Sequence, residues 1–286
     1  MADNPRWGVG SDQYKRRPGR PDAKQAAPGP MQPVRNAATP DQLRFTGISW
    51  DVNALDLEAI GGDGNVERAR HRFRSRLPDM IWDAARLEGN TFTLPEVQTL
   101  LEGVTVAGRR LEEEHQILAL NEGFNDLDQT VRNGEFQLSK SLSDRIHSRV
   151  AEHEAIESGH FRGEGSVQGG GAVRLASGGT VDGREHGDDG ELLQVAYTDL
   201  LDFLAAESDP RLRALVYAAS VIRHQFYFDG NKRTAKLMAS GELISHGFDA
   251  ISIPYTRLYE QNLALDTLFR TDNATELMRL MADCAR

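Results

Sequence analysis

The sequence predicts an all-α bundle with one small β-hairpin, on three observations. Apolar residues recur at helical spacing from about residue 43 onward. Capping and stop signals bound the helical stretches. A single glycine-rich segment, 159–191, interrupts them. Residues 1–42 precede the periodic part and are rich in Pro, Gly, Arg and Ala, which predicts a disordered basic tail. Seven Lys/Arg against three Asp fall in residues 1–40, and the remainder carries 26 basic and 40 acidic residues. So acidic a body is a poor nucleic-acid binder, because neutralising phosphates needs a basic face. "RRPGRP" (Arg16–Pro21) only partly matches a minor-groove hook, since Pro18 stands where the core arginine belongs.

The elements follow in order. "RARHRFRSRLPDMIWDAARLEGN" (68–90) reads as helical, with Ile81, Ala84, Ala85 and Leu87 apolar and Gly89 as its stop. "TFTLPEVQTLLEG" opens a second helix through a capping box, in which Thr93 caps, Pro95 fits the first turn and Glu96 reaches back. Helices are expected next at 109–131 and 138–154. Within the glycine-rich segment, Ala172–Leu175 and Thr180–Val181 flank Ser177-Gly178-Gly179, the pattern of a short hairpin. Further helices are expected at 191–206, 210–225, 231–246, 255–269 and 273–284. Asp209-Pro210 starts the second of these, and Leu212, Leu215, Val216, Ala219 and Ile222 form its core-facing stripe. Domain boundaries are expected at 43–108, an N-terminal helical region, and 109–286, the core.

One cysteine, Cys284, rules out a disulfide within the chain and suits a reducing cytoplasm. No run approaches the roughly 18 apolar residues of a spanning helix, so no membrane partner is expected. The eight histidines show no metal-ligand spacing.

The chemistry concentrates in "RHQFYFDGNKRTAKL", residues 223–237. Gly230 lets backbone approach a ligand, and Asn231 begins a helix whose free N–H groups and dipole attract an anion. Arg233 adds a forked donor for phosphate oxygens. Asp229 is a hard oxygen ligand placed for a Mg²⁺ bridging those phosphates. Lys236 extends the cationic patch along the same helix face.

This segment resembles the signature of the Fic family, His-Pro-Phe-x-Asp/Glu-Gly-Asn-Gly-Arg continued by x-x-Arg. Tyr227, Asp229, Gly230, Asn231, Arg233 and Lys236 match it. "WDAARLEGNTFTLPEVQTLLEG" (82–103) resembles the family's inhibitory helix with the helix that follows. "ESGHFRGEG" (157–165) resembles the Gly-x-x-Arg step before its flap. The resemblance spans about 80–286. It implies a Fic-type helical bundle with a β-hairpin flap, and transfer of AMP from Mg²⁺-bound ATP to a Ser, Thr or Tyr hydroxyl of a protein target. Asp229 would hold the metal and Gly230, Asn231, Lys232, Arg233 and Lys236 the nucleotide. The hairpin at 172–182 would clamp a target segment by adding a strand.

The chain departs from the family pattern in three places. An ungapped alignment puts Gln225 on the position of the family's proton-accepting histidine, and an amide cannot act as a general base. A one-residue bulge would instead bring His224 there. Lys232 replaces the second Gly, as in toxins resembling Doc, which transfer phosphate; otherwise it points to solvent or to a phosphate. In the inhibitory pattern Ser/Thr-x-x-x-Glu-Gly/Asn the hydroxyl is lost at Ala84, while Glu88 is kept and would pair with Lys236 by analogy. Three functions therefore stand side by side: a self-inhibited adenylyltransferase impaired at its base, a nucleotide-binding pseudoenzyme or interaction module, and a phosphotransferase toxin.

Overall fold

The computed structural model describes residues 40–285, so the expected tail falls outside them apart from its last residues. There helix α1 runs from Pro40 to Thr46. Ten further helices follow among the described residues: α2 (Val66–Ser75), α3 (Leu77–Leu87), α4 (Leu94–Leu101), α5 (Leu111–Arg132), α6 (Lys140–Val150), α7 (Glu191–Ala205), α8 (Pro210–His224), α9 (Asn231–Ser245), α10 (Leu258–Thr271) and α11 (Thr275–Asp283). Between α6 and α7 lies an antiparallel hairpin, β1 (Ala172–Arg174) and β2 (Thr180–Asp182), in which Val173 pairs with Val181. The structure is 61% helical, as the periodicity predicts.

Two expectations about helix ends are corrected. The stretch 68–90 is two helices, broken at Arg76 (φ −105°, ψ 7°), because Pro78 cannot donate a helical hydrogen bond and fits only a first turn. The helix expected to run to 154 stops at Val150, and residues 151–154 form a turn that frees Glu154 for another contact. The described residues on both sides of position 108 fall within one compact unit.

The helical hairpin of α8 and α9 lies at the core: every residue from Leu212 to His224 except Arg213, and every residue from Asn231 to Ile244 except Lys232, is buried. Asp209 caps α8 by accepting the Arg211 N–H (2.9 Å), with Pro210 in the first turn. Helices α5 and α6 pack on α9, α7 and α11 on α8, and α3 on α5. Gly247 ends α9 at φ +80°, against the backbone of Gly64. A Cβ there would lie 2.1 Å from the Gly64 carbonyl carbon, so no other residue fits without displacing backbone.

Several of the largest buried polar side chains in this core are paired. The hydroxyls of Tyr197 and Tyr217 bond to each other (2.7 Å), and Tyr227 bonds to Ser143 (2.8 Å) and Asp144 (2.9 Å). Two histidines are buried as neutral rings. Nδ1 of His147 accepts the Gly159 N–H (2.8 Å), which leaves the proton on Nε2 to donate to the Asp229 carbonyl (2.8 Å); the ring stacks on Tyr227. His224 donates from Nδ1 to the Ser220 carbonyl (2.8 Å) and lies between Phe226 and Gly47.

Burial lowers the pKa of His224 to about 4, with Arg184 and Arg223 adding to the effect against the Ser220 carbonyl. An unfolded histidine takes up its proton near pH 6.5. Between these values the unfolded chain therefore binds more protons, and stability falls as pH drops through this window. At pH 5 the loss from this one ring is about 2 kcal/mol. Urea unfolding at pH 7 and pH 5 should show a lower midpoint at pH 5, and His224→Phe should remove part of that difference.

Candidate functional site

The turn between α8 and α9, residues 225–230, is built from below by aromatic burial. Phe226 and Tyr227 are fully buried, Phe226 against Phe161 and Tyr197 and Tyr227 against His147. Gln225 caps α8 in the left-handed region (φ 56°, ψ 59°), an uncommon conformation for a residue with a side chain. Its Nε2 donates to the Ile222 carbonyl (2.7 Å) and its Oε1 accepts from Asn231 Nδ2 (3.2 Å). Both ends of the amide are thus occupied.

His224, the alternative base, is set aside by the same geometry. One residue earlier on the helix, its ring turns into the core against Gly47 and Ser220. Gln225, not His224, lines the cavity of about 110 Å³ that opens beside the turn. That cavity is walled by the flap (Val173–Ala176), by Asp229, Asn231 and Lys232, and by Asn262, Leu265, Asp266 and Phe269 of α10. A wider groove of about 620 Å³ lies between α10, α11 and residues 54–59 and contains none of the motif residues.

Asn231 has a different role from the one expected. Its Oδ1 accepts the Tyr227 N–H (2.9 Å) and its Nδ2 donates to the Tyr227 carbonyl (2.7 Å), so its side chain closes the turn and is not free for phosphate. What remains for an anion is the backbone N–H groups of the first turn of α9. Gly230 (φ +73°) lets the chain pass close to α6, since a Cβ there would lie 2.9 Å from that of Ala151. The Asp229 carbonyl is held by His147 and its side chain is 61% exposed, which leaves a carboxylate oxygen available to a cation. Among the described residues no group of three or more His, Cys, Asp or Glu could hold a metal by itself. The donor set thus suits an ion that takes one protein carboxylate and completes its shell from phosphate and water, as Mg²⁺ does.

Three cations follow on α9, and two of them, Lys232 and Arg233, are in ion pairs with carboxylates. Lys232 Nζ pairs with Glu88 at 2.9 Å, which corrects the expected pairing of Glu88 with Lys236. Lys232 stands in the first turn near the end of α3, whereas Lys236 lies one turn deeper beneath that helix. Lys236 and Arg233 share a narrow space of about 30 Å³ with Met80, Ala84 and Leu87. The Nζ of Lys236 is 3.5 Å from Gln261 Oε1, and burial lowers its pKa to about 8 against the opposing pull of Glu88. Burial works to raise the Glu88 pKa, but Lys232, Arg233 and Lys236 outweigh it and hold the carboxyl below its usual range. Arg233, 4% exposed, is bonded to the Glu154 carboxylate and to the Val150 carbonyl (3.3 Å). Burial would lower its pKa, and Glu154 and Glu88 reverse the sign.

The flap is fixed at both ends. The Asp266 carboxylate accepts the N–H groups of Ala176 (2.9 Å) and Ser177 (2.7 Å) at its tip, and Arg270 reaches the Ser177 hydroxyl (2.7 Å). At its base the Arg162 guanidinium donates to the carbonyls of Gln225 (2.5 Å), His224 (3.2 Å), Gly170 (3.1 Å) and Arg184 (2.6 Å). Sequence reasoning found Arg162 only as part of a motif and missed His147, Glu154 and Asp266. Asp266-x-x-x-Arg270 is a pattern it could have used; Glu154 carries no local signal.

No protein-family model matches this chain. Among curated proteins it is similar to the protein adenylyltransferase Fic of Culex quinquefasciatus, 25% identical over 252 residues covering 85% of this chain and 46% of the relative. The protein of the same name from Drosophila erecta is 26% identical over 269 residues, covering 89% and 51%. The chain spans about half the length of the curated relatives it matches. Among solved structures, Fic-1 (residues 134–508) of C. elegans superposes with a TM-score of 0.60 at 19% identity over 77% of this chain and 67% of that one. A Fic domain-containing signaling protein from Bacteroides thetaiotaomicron superposes with a TM-score of 0.62 at 20% identity over 80% and 88%. The relatives' names, the shared fold and the Asp229–Lys236 turn agree: the chain has the fold of Fic proteins and is similar to them in sequence.

Proposed function

We propose that the protein is a Fic-type adenylyltransferase that moves AMP from Mg²⁺-bound ATP to a protein hydroxyl, restrained by Glu88 and slowed by Gln225. The observation that carries this reading is the Glu88–Lys232 ion pair, which places a carboxylate where a phosphate would meet the start of α9. In the reaction a target oxygen would bond to the α-phosphorus, the bond to the pyrophosphate oxygen would break, and the hydroxyl proton would pass to water or to the departing pyrophosphate. Asp229 would hold the metal, which neutralises and orients phosphate oxygens when bound. The first-turn N–H groups of α9, with Lys232, Arg233 and Lys236, would orient the phosphates. Gln225 accepts no proton, so positioning would carry the rate. On the flap, the outer edge of β1 at Ala172 and Arg174 is the place where a target strand could pair.

A second reading, a nucleotide-binding protein without transfer, is favoured by one observation: both ends of the Gln225 amide are already bonded. The phosphotransferase reading rests on Lys232, whose ammonium is engaged by Glu88.

Two experiments decide among these. With ATP labelled separately at the α- and γ-phosphates, Glu88→Gly should label a protein in a cell lysate from the α-position, and adding Asp229→Ala should abolish the label. Labelling from γ alone would support phosphate transfer, and no label despite calorimetric binding would support the pseudoenzyme. In the Glu88→Gly background, Gln225→His should raise α-label incorporation by about 10² or more, the usual contribution of a general base.

A further inference from the structure

We infer that Glu154 is a second carboxylate gate on the nucleotide site, closing Arg233 as Glu88 closes Lys232, and that one helix end braces both gates. The inference rests on the nucleotide reading above and adds a regulatory residue to it. Arg233 is buried, and a guanidinium in that position needs a counter-charge. Its bonded carboxylate comes from Glu154, in the turn after α6, and the nearest Asp229 oxygen is 3.7 Å away. A phosphate group offers Arg233 the same forked geometry as a carboxylate, so nucleotide and Glu154 compete for one guanidinium. The Glu154 side chain is 26% exposed, so it lies next to water and can leave Arg233 without being stranded in the core.

The brace is a chain of amides. Gln116 Nε2 donates to Glu154 Oε2 (3.0 Å), and Asn90 Nδ2 donates to Gln116 Oε1 (2.8 Å). Asn90 and Gln116 are both buried, and the Asn90 N–H bonds back to the Ala85 carbonyl (3.1 Å) at the end of α3. Glu88 is two residues before Asn90. Moving the end of α3 therefore draws Glu88 from Lys232 and loosens the support of Glu154 in one displacement. A partner or modification acting on that helix end would open two anion positions together.

The test is calorimetric binding of Mg²⁺ with β,γ-imido-ATP to the full chain and to Glu88→Gly, Glu154→Gln, Gln116→Leu and the Glu88→Gly/Glu154→Gln pair. Glu154→Gln should bind about tenfold tighter than the parent, as loss of a competing charged contact predicts. In the pair the gain should add to that of Glu88→Gly. Gln116→Leu, which keeps both charges and removes the brace, should also bind more tightly. A purely structural Glu154 would give equal or weaker binding. That result in folded Glu154→Gln, with binding intact in Glu88→Gly, would overturn the second gate alone. If Glu154→Gln does not fold, unchanged affinity in Gln116→Leu overturns it. Absence of binding in every variant would overturn the nucleotide reading and the gate with it.

Discussion

The rest of the site depends on the Arg162 guanidinium. Buried and bonded to no carboxylate among the described residues, it donates to four backbone carbonyls, two from the end of α8 and two from the stems of the flap. Burial lowers its pKa, with Asp182 pulling the other way, but guanidinium stays charged in proteins. Four charge-assisted bonds then tie the motif turn and the hairpin to one rigid plane. The glycines around it follow from this contact. A Cβ on Gly171 would lie 2.5 Å from the guanidinium carbon, and one on Gly183 only 2.6 Å from the Gln225 Cβ. The glycine-rich stretch is thus a sheath, shaped by what it wraps.

Opposite this plane the site is a balance of charges confined to a small volume. Lys232, Arg233 and Lys236 lie within two turns of α9, and mutual repulsion would disfavour that arrangement without anions. Glu88 and Glu154 supply them from two different segments. The Glu154 side chain is 26% exposed and can yield to a better ligand, and Glu88 keeps one buried oxygen without a partner among the described residues, while the cations stay where α9 puts them. The site is organised for anions before any ligand arrives.

The sequence revealed the features written in local chemistry. Asp209-Pro210, Gly230 and Gly247 bound α8 and α9 within a residue or two, because caps and left-handed positions are local constraints. The hairpin was legible for the same reason. The break at Arg76 was also legible, through Pro78, but the apolar period across it was read as continuous. The functional contacts were harder to see. Arg233 and Glu154 are 79 residues apart, and Arg162 is 62 from His224. The choice between Lys232 and Lys236 as partner of Glu88 depends on how deep α3 sits over α9, which no spacing encodes. Asn231 was legible as a helix start, yet its use in closing the turn depends on the path of Tyr227.

The double fixation of the flap has a consequence for whatever pairs with its free edge. With Asp266 holding the tip and Arg162 the base, the hairpin has little freedom left to lose. On the proposed reading, a segment docking on β1 would give up its own motion alone, so even a short, weakly hydrophobic strand would meet a modest entropic penalty. Selectivity would then shift away from sequence and toward which surface segments are extended and supple enough to reach the cavity. The flap would act as a fixed template, with discrimination resting on the shape of the visitor.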